Sequence, residues 1–256
     1  MNGSQIPYDP YCGPAPVPAD LWTSWNLDPW LMPALAATLV FCGLLSPRGL
    51  TARDGRLHAS LGVFVLLVAF VSPLCALSSA LFSARVLHHV LLVAVAAPLL
   101  ALAFPARDAL RRVPLTALFI AHTIAMWVWH APAPYAFALS SHAAYWLMEA
   151  TLFVSAFLLW QAMLARWAHP GAVSIALLGS IVQMGMLGAL ITFAGRAMYE
   201  PHLTTTLPFG LTPLADQQLA GLLMWVPASL PYLAAALVLL ARFLSPSPDG
   251  SRGGVR

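Results

Sequence analysis

The sequence contains no lysine and few charged residues of any kind. Only 8% of its 256 residues are charged, and all twelve basic residues are arginines, whereas about 25% of residues are charged in ordinary soluble domains. Hydrophobic residues make up 60% of the chain, and the mean hydropathy is +0.80. This composition predicts a polytopic membrane protein with one membrane domain.

Missing motifs exclude several further classes of protein. The sequence has no HExxH pair, no phosphate-binding glycine loop and no nucleophile elbow, so hydrolase and nucleotide-driven activities are not expected. We expect no enzymatic activity and no nucleic-acid partner. The amino terminus has no basic stretch followed by an apolar core, unlike a cleavable signal peptide. The three cysteines, Cys12, Cys42 and Cys75, match no CxxC pattern and form no obvious framework.

Long apolar runs dominate the rest of the chain. A membrane-spanning helix needs about 20 mostly apolar residues, and only helices or closed barrels satisfy backbone groups in lipid. The runs are too long for strands, so we predict an all-α membrane protein with a bundle of seven transmembrane helices. The predicted spans are 29–46, 58–78, 87–104, 114–131, 143–165, 172–194 and 217–243.

The arginines predict how this bundle is oriented. Ten lie in the connections on one side, and only Arg85 and Arg196 lie on the other. By the positive-inside rule the amino terminus is outside and the carboxyl terminus is inside. We therefore expect an extracytoplasmic Pro-rich arm over 1–28, a transmembrane domain over 29–243 and a disordered cytoplasmic tail over 244–256.

Polar side chains within the predicted spans collect in the outer half, at two depths. Near the outer interface lie His88, His89, His130, His142 and Asp216. Roughly 10–12 Å deeper lie His122, Glu149 and Met224. An ionised carboxylate that faces lipid is costly, so we expect Glu149 to point inward with a partner or a proton.

Together with Cys12 in the arm, these side chains form a soft set of possible metal ligands. Imidazole, thioether and thiolate groups suit Cu(I) better than magnesium or calcium. Each also has an ordinary interpretation: interfacial histidines act as anchors, methionines pack, and His122 can hydrogen-bond between helices. The convergence of types favours a metal site. Neighbouring helical residues point about 100° apart, so only one of His88 and His89 is expected to face it.

Several motifs resemble those of the multi-spanning CtaG family of bacterial cytochrome c oxidase assembly factors. They are YCGPAP, WNLDPW, HHVLLVAVAAPLL, WVWHAPAPY, MEATLFVSAFLLW, MGMLGALITFAGRAMYEPH and PLADQQLAGLLMWVPASLPYL. The resemblance implies a protein of the bacterial inner membrane that helps to mature a haem-copper oxidase, by handling copper at the outer face. The implied partners are oxidase subunits or other copper chaperones.

The resemblance also assigns particular residues. His89 matches the histidine of a third-span motif that commonly reads HMxQH, and His130 matches that of a WxWH motif. Glu149 matches a recurrent carboxylate, and Asp216 opens a DQQ motif. On this basis His89 is a better ligand candidate than His88.

The chain departs from the family pattern at three positions. Arg85 stands where the family often has a histidine, His88 where it often has glutamine, and Ala150 where many relatives have histidine. A site that needs all those histidines is weakened unless His88 or His142 substitutes. Two alternative functions remain open: a membrane b-type haem protein with paired histidine ligands, and a transport or scaffold protein.

Overall fold

A computed structural model describes residues 8–45 and 50–244, and the side chains of 8–40 and 54–241. Leu244, the first residue of the predicted disordered tail, is described and ends the last helix. The rest of that tail, the first seven residues of the arm and the Cys42 side chain lie outside these ranges. The described residues form helices and turns and contain no β-strand. The all-α prediction is therefore confirmed for this part of the chain.

The helices follow one another with short connections. They are α1 (Leu31–Leu45), α2 (Leu50–Phe70), α3 (Pro73–Ala80), α4 (Phe82–Val90), α5 (Ala97–Ala103), α6 (Leu115–His130), α7 (Pro132–Ala138), α8 (His142–Leu164), α9 (Pro170–Thr192), α10 (Pro213–Trp225) and α11 (Leu230–Leu244). A π-helical segment, Leu91–Ala96, joins α4 to α5. Short 3-10 turns lie at Leu21–Thr23, Asp108–Arg112, Glu200–His202, Leu207–Phe209 and Pro227–Ser229.

Several helices are long and apolar enough to cross a membrane. Within the described residues four meet this description, namely Phe82–Ala103, His142–Leu164, Pro170–Thr192 and Pro213–Ala241. A fifth span results if the bent pair Asp54–Phe70 and Pro73–Ala80 counts as one. Leu31–Val40 and Leu115–His130 are shorter apolar helices. By their length and composition, the described helices fit a helical membrane protein.

The predicted second span, 58–78, is broken in the structure. It bends by 45° between Phe70 and Pro73, where Ser72 caps α3 by accepting a hydrogen bond from the backbone N–H of Leu74 at 3.2 Å. Pro73 occupies the first turn of α3, a favourable position for proline, and it disfavours helical geometry in the residue before it. Hydropathy alone missed this break, although the Ser-Pro pair signals it.

The predicted third span, 87–104, begins five residues earlier in the structure, at Phe82. This brings Arg85 into the helix, where it is fully buried instead of lying in a connecting loop. The π-helical segment follows because Pro98 has no N–H to donate to the carbonyl of Ala94. Trp160 of α8 donates its indole N–H to the carbonyl of Val93 at 3.2 Å. This hydrogen bond satisfies a backbone carbonyl of the π-helical segment.

The helices pack around one main hydrophobic core. Helix α4 packs on α3 and α10, α5 on α2 and α8, α6 on α8 and α9, and α9 on α10 and α11. Residues 8–28 lie against the end of the bundle where α2 meets α3: Asn26 donates from its backbone N–H to the carbonyl of Val71 and from its side chain to that of Phe70, both at 3.0 Å. Asp28 caps α1 by accepting from Trp30 and Leu31, and these backbone N–H groups lower its pKa.

Candidate functional site

The buried face of α4 meets a carboxylate of α8. Glu149 Oε1 lies 3.5 Å from Arg85 Nη1 and 3.3 Å from His89 Nε2, and Glu149 Oε2 lies 3.5 Å from His88 Nε2. These four side chains are 0–1% exposed. Glu149 thus faces inward and lies beside several possible partners.

The expectation that only one of the two adjacent histidines faces the site is wrong. Their directions do differ on the helix, but Glu149 lies between them and each of its oxygens is near a different imidazole. The sequence held a signal for this arrangement. Arg85, His88 and His89 are spaced i, i+3 and i+4, which places all three on one helix surface.

His130, the last residue of α6, completes the group. Its Nε2 lies 3.3 Å from Nδ1 of His89, and the two rings are nearly perpendicular, with centroids 5.2 Å apart. Its Nδ1 lies 2.7 Å from the backbone carbonyl of Met126. Arg85, His88, His89, His130 and Glu149 are called the Glu149 cluster below.

Proton counting around His89 exposes a shortage of donors. A carbonyl only accepts, so the proton of a neutral His130 is on Nδ1, facing Met126, and its Nε2 carries a lone pair. His89 then lies between two acceptors, His130 Nε2 and Glu149 Oε1, while a neutral imidazole carries only one N–H. One contact of His89 therefore places two acceptors together, unless the ring takes a second proton, Glu149 is protonated or a cation binds.

Other polar atoms of the cluster are buried without a hydrogen bond. They are Nε and Nη2 of Arg85, both ring nitrogens of His88, Nε2 of His89 and Oε2 of Glu149. The guanidinium of Arg85 also lies over the ring of Tyr145, 5.1 Å from its centroid. An unsatisfied buried polar group costs about 1–3 kcal/mol, so this part of the core is arranged at a cost to stability.

The cluster offers nitrogen ligands to a cation but is not a ready-made metal site. Among the residues that the structure describes, no group of three or more His, Cys, Asp or Glu side chains is placed to hold an ion. The imidazoles of His88, His89 and His130 nevertheless have nitrogens free of strong partners. The 3.3 Å between His89 and His130 leaves no room for a porphyrin between these two rings.

Two of the other predicted ligands are used differently in the structure. Asp216 accepts hydrogen bonds from the backbone N–H groups of Phe82, at 2.7 Å, and Ser83, at 3.2 Å, and from the Ser83 hydroxyl. It therefore caps the amino-terminal end of α4, where a carboxylate is favourable. His142 is 58% exposed and pairs with Asp9 at 3.8 Å, so it does not replace the histidine missing at Arg85.

The prediction that Glu149 lies roughly 10–12 Å deeper than His88 and His89 is wrong, because its carboxylate is 3.3–3.5 Å from both imidazoles. Glu149 belongs to the cluster, but His122 bonds through Nδ1 to the Ser155 hydroxyl at 3.0 Å, between α6 and α8. Met224 is buried in the hydrophobic core on α10. The ordinary interpretations, a hydrogen bond between helices and packing, describe their surroundings.

Cys12 is joined to Cys75 by a disulfide. In this state it has no thiolate to offer a metal. The sequence showed no framework because the two residues are 63 positions apart, and only the fold of the arm over α3 brings them together.

A second buried polar network lies near the cluster. His202 contacts the hydroxyl of Tyr135 through Nε2 at 2.6 Å and the carbonyl of Ala80 through Nδ1 at 3.2 Å. Thr205 donates to the same carbonyl at 2.6 Å, and Tyr199 donates to the backbone carbonyl of His130 at 2.7 Å. Burial lowers the pKa of His202 to about 3. His202, Tyr135, Tyr199, Thr205 and the backbone carbonyls of Ala80 and His130 are called the His202 network below.

Comparison with known proteins identifies the family. Residues 56–124 and 113–245 match the model of the cytochrome c oxidase caa3 assembly factors. The chain belongs to this family. Membership confirms the resemblance and indicates a role in cytochrome c oxidase assembly; the matched residues include the whole Glu149 cluster but not the arm. No curated protein and no solved structure matches the chain.

Proposed function

We propose that this assembly factor handles Cu(I) as cargo at the Glu149 cluster and passes it toward the metal centres of a haem-copper cytochrome c oxidase. The observation that carries the proposal is the shortage of protons around His89, which lies between His130 Nε2 and Glu149 Oε1. A bound cation relieves this conflict, because both neighbours are electron-pair donors. Imidazole ligands suit Cu(I).

Each member of the cluster has a role in this proposal. His89, His130 and His88 supply nitrogen ligands, with His88 replacing the histidine that relatives often have at Arg85. The carbonyl of Met126 orients the His130 ring through Nδ1, as outer partners commonly do for metal-binding imidazoles. Glu149 offsets the charge of the cargo, and Arg85 neutralises Glu149 when the cargo has left.

The proposal includes a topology with seven crossings. The shorter helices Leu31–Val40 and Leu115–His130, and the bent pair Asp54–Phe70 with Pro73–Ala80, are counted as spans in addition to the four long helices. With Arg85 inside α4, ten arginines on one side face Arg196 alone in the connections of the other, and this bias supports an outer position for the amino terminus and the Glu149 cluster in a bacterial inner membrane. In this arrangement oxidase subunits or a copper chaperone reach the cluster from outside, and the protein performs no catalysis.

Gene removal and single substitutions test the proposal. Removal is expected to lower the amount of assembled oxidase and its copper content, most strongly in copper-limited medium. His89→Ala and His130→Ala are expected to abolish function. His58→Ala and His169→Ala are matched controls in the same chain and are expected to retain it.

Elemental analysis of the purified protein under reducing conditions tests the cargo directly. Copper should accompany the wild type and be lost from His89→Ala. Unchanged oxidase after gene removal, or equal tolerance of all four histidine substitutions, would contradict the proposal. A Soret absorption band would favour the haem alternative, and copper uptake into vesicles would favour transport.

A further inference from the structure

The disulfide lies in a setting suited to more than a structural link. It joins Cys12 of the arm to Cys75 of α3, with Cα atoms 5.2 Å apart. Cys75 is fully buried, whereas Cys12 is 8% exposed. Both cysteines are therefore buried, and Cys12 is the less deeply buried residue of the pair.

Polar groups surround both sulfur atoms. The Tyr145 hydroxyl lies 3.7 Å from Sγ of Cys12, and the Asn26 amide nitrogen lies 3.7 Å from Sγ of Cys75. The Ser78 hydroxyl lies 3.9 Å from Sγ of Cys12, but its nearer acceptor is the carbonyl of Cys75 at 2.6 Å. A disulfide gains little from such donors. A thiolate gains more, because hydrogen bonds to the charged form favour that form.

The pair is also close to the Glu149 cluster. Tyr145, which contacts Cys12 Sγ through its hydroxyl, lies with its ring below the guanidinium of Arg85, and Arg85 pairs with Glu149 at 3.5 Å. Tyr11, next to Cys12 in the chain, stacks on the same tyrosine with centroids 5.0 Å apart. One side chain thus separates the cysteines from the cluster.

We propose that Cys12 and Cys75 form a redox-controlled Cu(I) site, which binds the metal as a dithiol and releases it when the disulfide forms. The choice of copper rests on the function proposed above. The pair supplies thiolates, the ligands that Cu(I) favours most, beside the imidazoles of the cluster.

The chemistry of the site balances with a dithiol protein as reductant. A thiolate of the reductant attacks Sγ of Cys12, the bond to Cys75 breaks, and Cys75 leaves as a thiolate that takes a proton. The second thiol of the reductant then attacks its own sulfur in the mixed disulfide and releases Cys12. Two thiols result, and the reductant becomes a disulfide. Binding of Cu(I) displaces both thiol protons and changes no oxidation state.

Release is the reverse exchange with a protein disulfide as the two-electron oxidant: Cys12 attacks that disulfide and one thiolate of the oxidant leaves, then Cys75 attacks Sγ of Cys12 and the second thiolate leaves. Cu(I) departs without a change of oxidation state, because its two thiolate ligands have become a disulfide.

The test uses the full chain in lipid nanodiscs with Cys42→Ser, so that only the proposed pair is present. Cu(I) is titrated against a chromogenic chelator before and after reduction with a phosphine that is then removed. The reduced protein is expected to bind more Cu(I) than the oxidised protein, by about one equivalent. This gain is expected to vanish in Cys12→Ser and to persist in His89→Ala.

A measurement on the unsubstituted pair covers the case in which Cys12→Ser does not fold. Bound Cu(I) is expected to protect both thiols of the reduced protein from alkylation, as read by mass spectrometry. No gain on reduction and no protection would overturn the inference, whatever the cluster binds. A gain that survives His89→Ala in a protein that binds no copper when oxidised would support the inference and refute the copper role of the cluster.

Discussion

The Glu149 cluster and the His202 network lie side by side and differ in how their polar atoms are satisfied. Both nitrogens of His202 have partners, the Tyr135 hydroxyl and the Ala80 carbonyl. In the Glu149 cluster neither nitrogen of His88 nor Nε2 of His89 makes a hydrogen bond, although Nε2 of each lies 3.3–3.5 Å from the Glu149 carboxylate. His130 belongs to both regions, since its ring contacts His89 and its carbonyl accepts from Tyr199.

This difference indicates which of the two regions supports the fold and which is available to a ligand. A fully satisfied buried network rigidifies a fold, because each group holds its neighbours in one geometry. A network with unsatisfied atoms lowers stability and persists where those atoms have another use. The His202 network therefore fixes the connection after α9 against α3 and α7, while the Glu149 cluster is the place where a ligand gains most.

The largest effect is expected from Glu149→Gln, on the free energy of unfolding. This change leaves the buried charge of Arg85 without a counter-charge, and loss of one partner of a buried ion pair costs about 3–5 kcal/mol. Denaturant-induced unfolding in detergent measures the loss. The double variant Arg85→Met with Glu149→Met is the control and should recover most of the stability, because no isolated charge remains. Unfolding of Glu149→Gln at the wild-type midpoint would contradict this account.

A smaller effect is expected from His88→Gln, which introduces the residue that relatives often have. If His88 compensates for the histidine replaced by Arg85, Cu(I) affinity should fall about tenfold or more while stability changes little, since the ring nitrogens of His88 have no hydrogen-bond partners. Adding Arg85→His should restore affinity by recreating the pattern of the relatives. Equal affinities of the wild type and His88→Gln would show that His88 is not a ligand.

The smallest effect is expected in the pH dependence of stability that His202 contributes. Burial lowers the pKa of His202 from 6.5 to about 3, so the folded protein binds fewer protons than the unfolded chain below pH 6.5. Stability from this group is present above that pH and is lost as pH falls toward 3, by less than about 1 kcal/mol between pH 7 and 6. Unfolding at several pH values should show this slope in the wild type and a reduced one in His202→Gln. Equal slopes of stability against pH in the wild type and His202→Gln would show that the pKa of His202 is not lowered on folding.

Much of the candidate site was predictable from local patterns. His89, His130 and Glu149 were singled out by depth and by family motifs, and the structure brings them together. Arg85 was missed as a member because the hydropathy window began the span at 87, although its i, i+3, i+4 spacing with the histidines indicated a shared face. Asp216 was singled out as a possible ligand, but its role as a cap of α4 was not predicted. In the sequence, a carboxylate that caps another helix looks the same as a metal ligand.

Composition and periodicity were sufficient for the helical membrane class, because the need to satisfy backbone groups in lipid leaves few alternatives. The predicted depths were wrong for Glu149, which was expected roughly 10–12 Å below His89 and contacts it at 3.3 Å. Because α4 begins at Phe82, His89 lies seven residues into its helix, as Glu149 does in α8. Tertiary structure alone decided which of the polar side chains meet. The Glu149 carboxylate lies between two adjacent histidines, and Cys12 pairs with Cys75 across 63 positions, because contacts between helices depend on breaks and packing that hydropathy averages away.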